Sequence, residues 1–155
     1  MTPRDDTAQS PTDSLSMDFD LRHLPEKVWR ALTDPVLLAE WLLPVVGLDL
    51  RPGASFTFQA PPKPGWDGTV SCQVLEIEAK RKLSYAWRVG DIDTVVTFTL
   101  TPTASGTRLS LVQSGFKPDQ KQNLGGARYG WKKMSGQLEV LLDRLPRDLD
   151  NRRQG

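Results

Sequence analysis

The sequence predicts an α+β domain: a curved antiparallel sheet of about six strands, two short helices, and one long C-terminal helix packed on the concave face. Three observations carry this. Alternating apolar and polar residues recur in short segments from Leu15 to Gln113, separated by turn-rich stretches. Two proline-led apolar runs, at Pro25 and Pro35, interrupt that alternation early. From Asn123 to Leu145 the apolar period changes from that of a strand to that of a helix.

Each element follows from its residues. Residues 1–14 are polar, hold two prolines and show no period, which predicts a disordered tail. At Leu15 the alternation begins: Leu15, Met17, Phe19, Leu21 and His23 share one face, while Ser16, Asp18, Asp20 and Arg22 share the other. Pro25 suits a first helical position, with Val28, Ala31 and Leu32 along one side. Asp34 reads as the cap of the next helix and Pro35 as its first residue, with Leu38, Trp41 and Leu42 facing inward until Pro44.

The middle of the chain reads as a meander. A Pro52-Gly53 turn precedes Ala54, Phe56 and Phe58 on one face, and "PPKPGWDG" is a loop. Val70, Cys72 and Val74 share a face, but Leu75 and Ile77 fall out of phase with them. A β-bulge near Val74 accounts for the change of parity. "AKRK" turns the chain into Leu83, Tyr85 and Trp87; "GDID" turns it into Val96, Phe98 and Leu100; "TPTASG" leads to Leu109, Leu111 and Gln113. Finally Ala127, Trp131, Met134, Leu138, Leu141 and Leu145 recur at helical steps, giving one long amphipathic helix of about 35 Å. The domain therefore runs from 15 to 145, and 146–155 reads as a second disordered tail.

Composition narrows the function. The length of 155 residues suits one domain, and 20 basic against 19 acidic residues leave a net charge of +1. That balance gives no field to draw nucleic acid or an anionic membrane. A single cysteine, Cys72, excludes an internal disulfide and a cysteine-rich metal site, and its phase with Val70 and Val74 makes it a buried structural thiol. No apolar run has the length of a signal peptide or a membrane span, so a soluble, cytoplasmic protein is expected. No motif asks for a cofactor or a metal. With one histidine, no Ser-His-Asp order is available, and no pair of acids falls on inward faces. Glu76, after the bulge, defaults to the surface.

The order of elements and the residues within them resemble the helix-grip fold of the START and birch-pollen-allergen superfamily. More narrowly, the chain is similar to bacterial single-domain homologues of the C-terminal domain of the heat-shock-protein ATPase activator, a group filed with polyketide cyclase-like proteins. The resemblance rests on "PEKVWRALTDPVLLAEWL" (25–42), "RPG" (51–53) and "GTVSCQVLEIEAKRKLSYAW" (68–87). "VVTFTLTPTASGTRLSLVQSGF" (95–116) and "GWKKMSGQLEVLLDRL" (130–145) complete it. Gln113 stands where a histidine is common, and Ala79 where a proline is frequent. The resemblance implies a cavity between the long helix and the sheet, holding a small hydrophobic molecule.

Within that expectation, Tyr85 and Trp87 pose the central choice. They share one strand face with Leu83, and are either core or the wall of a pocket. The candidate ligand contacts are Tyr85, Trp87, Phe56, Phe58 and Phe98 on the sheet, Trp131 and Met134 on the long helix, and Trp41 at the mouth. Gln113 is the candidate polar contact, because an inward glutamine must find hydrogen bonds. Small residues at Gly126, Ala127 and Gly130 leave space at the N-terminal end of the helix, where an opening is expected. Non-catalytic binding of a lipophilic or aromatic molecule is the favoured function. A polyketide cyclase-like enzyme in the same cavity and a chaperone-interacting stress-response module are the alternatives, and no protein partner is identifiable. His23 either points inward, or caps the first helix or lies half-exposed at the strand end.

Overall fold

A computed structural model describes residues 14–145. Apart from Ser14, which opens the first strand, the two expected tails lie outside the described residues.

The chain begins with β1 (Ser14–Leu21), followed by α1 (Pro25–Thr33) and α2 (Pro35–Trp41). Pro25 and Pro35 each lie in the first turn of a helix, and the Asp34 carboxylate accepts a hydrogen bond from the Val36 amide at 2.9 Å. Six further strands follow: β2 (Val45–Val46), β3 (Ser55–Gln59), β4 (Thr69–Glu78), β5 (Lys82–Val89), β6 (Ile92–Thr103) and β7 (Gly106–Ser114). A 3-10 turn at Pro118–Gln120 leads into α3 (Lys121–Arg144).

Among the described residues, seven strands form one antiparallel sheet in the order β1-β7-β6-β5-β4-β3-β2. The extra strand relative to sequence expectation is β2, whose two residues pair with Phe58 and Thr57. Two residues are too few to show an alternating pattern. The helices α1 and α2 carry the chain from β1, beside β7, across to the far edge at β2.

The bulge is where the parity of the apolar residues puts it. Val74 pairs with Tyr85 and Glu76 with Ser84, so Leu75 is the extra residue. Leu75 is exposed, and Ile77 returns to the inner face opposite Leu83. At the other end of the sheet, the β6–β7 turn closes tightly on β1. A Cβ at Gly106 (φ +155°) would lie 2.2 Å from the Leu21 carbonyl oxygen, so only glycine permits this approach.

The inward rows of the sheet form the core. Leu15, Gln113, Val96, Tyr85 and Val74 lie in register across five strands, and Met17, Leu111, Phe98 and Leu83 form the next row. Over them lies α3, 24 residues long and thus about 36 Å. Leu124, Trp131, Leu138, Leu141 and Leu142 are its buried residues. The helix also packs on α1, α2 and β1. Among the described residues, no helix is long and apolar enough to cross a membrane.

Candidate functional site

The aromatic residues form one connected cluster that changes character along its length. Trp41 on α2 meets Phe98 edge-on, with ring centroids 6.5 Å apart, and its indole N–H donates to the Ala31 carbonyl at 2.8 Å. That bond ties α2 to α1. Phe98 packs on Tyr85 at 6.1 Å, and Tyr85 meets Phe56 at 5.3 Å and Phe58 at 6.1 Å. Phe56, Phe58, Tyr85, Phe98 and Trp41 are all buried. Edge-on and tilted contacts of this kind favour the ring quadrupoles, and the five buried rings fill this part of the concavity.

The cluster opens at its other end. Trp87 lies 5.5 Å from Phe58 and 5.5 Å from Trp131, and it is only half-buried. Beside these two indoles lies a cavity of about 270 Å³. The sheet contributes Trp87, Val89, Ile92 and Gln113, and Phe116 follows just beyond β7. The helix contributes Asn123, Gly126, Ala127, Gly130, Trp131 and Met134. Asn123 and Gly126 are exposed and mark the mouth.

The space exists because α3 carries small residues there. A Cβ built at Gly126 or Gly130 meets no atom within 4 Å, so packing does not require glycine at either position. Each glycine inside a helix costs about 1 kcal/mol relative to alanine. The helix thus gives up stability along the stretch that roofs the cavity.

Within the cavity wall runs a short polar chain. The Trp131 indole N–H donates to Gln113 Oε1 at 2.8 Å, and Gln113 Nε2 donates to Thr94 Oγ1 at 2.9 Å. Thr94 Oγ1 in turn donates to the Trp87 carbonyl at 2.9 Å. Gln113 and Thr94 are buried, so the chain satisfies polar groups that water does not reach. It also fixes the amide: the indole only donates, so the atom facing it is Oε1.

Of the nine residues that the sequence singles out, Trp87, Gln113, Trp131 and Met134 line the cavity. Tyr85, Phe56, Phe58, Phe98 and Trp41 do not, because their rings pack on one another. Among the described residues, none hydrogen-bonds the Tyr85 hydroxyl; burial, with a smaller contribution from Cys72, pushes its pKa well above the ordinary value. Val89, Ile92, Phe116 and Asn123 join the lining without having been singled out. Val89 was legible, being in phase with Trp87.

His23 does not line this cavity. Its Nδ1 accepts from Lys27 Nζ at 3.1 Å, since an ammonium only donates, and its Nε2–H donates to Asp143 at 2.9 Å. Lys27 also donates to the Leu145 carbonyl at 3.3 Å. This cluster fastens β1 and α1 to the end of α3, beside a polar hollow of about 580 Å³. Among the described residues, no Asp, Glu, His, Lys, Arg, Cys or Tyr lines the cavity at Trp87 and Trp131. Among the described residues, no three His, Cys, Asp or Glu side chains are grouped to hold a metal ion.

Comparison with known proteins gives a family. Residues 22–143 match the family model described as Activator of Hsp90 ATPase homolog 1-like protein. The crystal structure of protein MLL2253 from Mesorhizobium loti is 42% identical over 86% of this chain and 98% of that one, with a TM-score of 0.79. Protein NE0264 from Nitrosomonas europaea is 28% identical over 87% and 97%, with a TM-score of 0.73. DynU16, from the dynemicin biosynthetic locus, is 23% identical over 86% of this chain and 48% of its own, with a TM-score of 0.73, a likeness of fold. No curated protein matches the sequence.

Proposed function

The chain belongs to the Activator of Hsp90 ATPase homolog 1-like family, and from that premise we propose that it is a binding protein holding a small lipophilic, aromatic molecule under the N-terminal half of α3, without transforming it. The observation that carries this reading is the cavity of about 270 Å³ beside the touching Trp87 and Trp131 indoles. At ~30 Å³ per water it has room for about nine waters, the size of a two-ring aromatic. Flat apolar walls favour a flat apolar guest.

The lining also supports binding over catalysis. A cyclase-type enzyme moves protons and needs an acid or base within hydrogen-bond reach of its substrate. Among the described residues, none of the side chains that line the cavity titrates in the ordinary range. Burying ~200 Å² of apolar ligand supplies on the order of 5 kcal/mol before the entropy of association is subtracted. Apolar contact alone therefore supports modest affinity, and polar contact decides whether it becomes tight.

The test is an NMR titration with two-ring aromatics, following the five tryptophan indole N–H signals. Trp87 and Trp131 should shift, while Trp29, Trp41 and Trp66, outside the lining, should stay in place. Shifts confined to the latter three would put the ligand elsewhere and overturn the reading.

A further inference from the structure

We propose that this cavity selects an uncharged aromatic molecule bearing an amide-type edge, a carbonyl beside an N–H, and that Gln113 is the residue that reads it. The proposal rests on the binding reading above and names the ligand class for the same site.

Gln113 supplies the first half of the argument. A primary amide has two N–H donors and two lone pairs on oxygen. Trp131 takes one lone pair and Thr94 takes one N–H. Among the described residues, none takes the other two positions. Gln113 is 2% exposed and belongs to the cavity wall, so the cavity is the side from which a guest meets its spare donor and spare acceptor. The Trp131–Gln113–Thr94–Trp87 chain prevents the amide from flipping or turning away. Buried polar positions without partners cost free energy, and a ligand that supplies both partners removes that cost.

Among the described residues, the lining also carries no charge. A carboxylate or ammonium in this cavity would leave water without a counter-charge. A carboxylate would also face Gln113 with acceptors only. A hydrocarbon would leave both spare amide positions without partners. A carboxamide or lactam offers one acceptor and one donor on a neutral edge, and its rings fit the cavity beside the two indoles.

Three probes of one ring system separate these cases: naphthamide, naphthalene and naphthoate, titrated at pH 7 against the full chain by NMR. Naphthamide should bind about tenfold or more tightly than naphthalene, the gain of two hydrogen bonds to buried groups. Naphthoate should bind more weakly than naphthalene. The Gln113 side-chain amide signals should shift with naphthamide and stay nearly in place with naphthalene. In Gln113→Met the preference for naphthamide should vanish. If that variant does not fold, the wild-type amide signals decide the matter. Equal binding of naphthamide and naphthalene, or tightest binding of naphthoate, would overturn the role of Gln113 while leaving the cavity a binding site. Binding of none of the three would overturn the binding reading and this proposal with it.

Discussion

Trp131 on the long helix and Gln113 on β7 are joined by a buried hydrogen bond of 2.8 Å, at the boundary between the filled and the open part of the concavity. On one side of that bond lie Phe98 and Tyr85, packed ring to ring; on the other lies the cavity. The bond holds the helix at a fixed height over the sheet. It also lets one polar side chain serve both the core and the site.

The chain behind this bond should be needed for stability. Thr94→Val keeps the shape of the side chain but leaves Gln113 Nε2–H and the Trp87 carbonyl without the hydroxyl they share. The variant should lose ~1–3 kcal/mol. Thr97→Val, on the opposite face of β6 and only half-buried, gives up one longer bond of 3.3 Å to the Ser84 hydroxyl and should lose less. Urea unfolding of the two variants measures the difference, and equal losses would mean that the Thr94 hydroxyl contributes no more than that of Thr97.

The phase of α3 sets a second contrast. Leu138 is 1% exposed and its neighbour Gln137 is exposed. Leu138→Ala should cost ~2–5 kcal/mol and Gln137→Ala less than about 0.5 kcal/mol. Comparable melting temperatures for the two would contradict the packing described for the helix.

These features differ in how far the sequence announces them. Alternation at Phe56 and Phe58, at Tyr85 and Trp87, and at Leu109 and Leu111 encodes the inward face directly, because a pleat has a period of two. The change of parity after Val74 likewise encodes the bulge. Gln113 is readable as an inward polar residue that needs partners. Which partners it finds depends on the height and rotation of α3, set by contacts distant in the chain, as with the His23–Asp143 pair 120 residues apart. For the same reason, no local signal separates Tyr85 from Trp87. They share a face, and only the position of Gly126, Ala127 and Gly130 over the sheet leaves one at a cavity and the other in the core.

High pH should weaken the fold through the core beneath the aromatic cluster. Burial pushes the Cys72 thiol from 9.0 up to about 12, with the Arg88 charge offsetting part of the rise. A raised pKa in the folded state means that the neutral thiol favours folding below the unfolded value, and that this contribution is lost as pH climbs towards the folded one. The Cys72 contribution should therefore be constant up to about pH 9 and decline between about 9 and 12. The urea midpoint of the wild type should fall more steeply over that window than that of Cys72→Ala. Identical slopes would remove Cys72 from the account. The same burial should keep the native thiol inert to alkylation at pH 8.

The glycines of the roof should be replaceable without harm to the fold. Gly126→Ala and Gly130→Ala should each stabilise the protein by about 1 kcal/mol, since the added methyl meets no atom and the helix gains propensity. Thermal melts of the two variants check this, and a lowered melting temperature would show that these glycines serve packing after all.

The most direct test of the binding account sets two leucines on α3 against each other. Gly130 lines the cavity and Gly136 does not, yet neither has an atom within 4 Å of an added Cβ. Gly130→Leu and Gly136→Leu should both fold, which far-UV circular dichroism and thermal melts establish first. Titration with a two-ring aromatic should then find wild-type affinity in Gly136→Leu and a loss of at least tenfold in Gly130→Leu, where the new side chain occupies the ligand's space. Undiminished binding in a folded Gly130→Leu protein would contradict the claim that this cavity is the site.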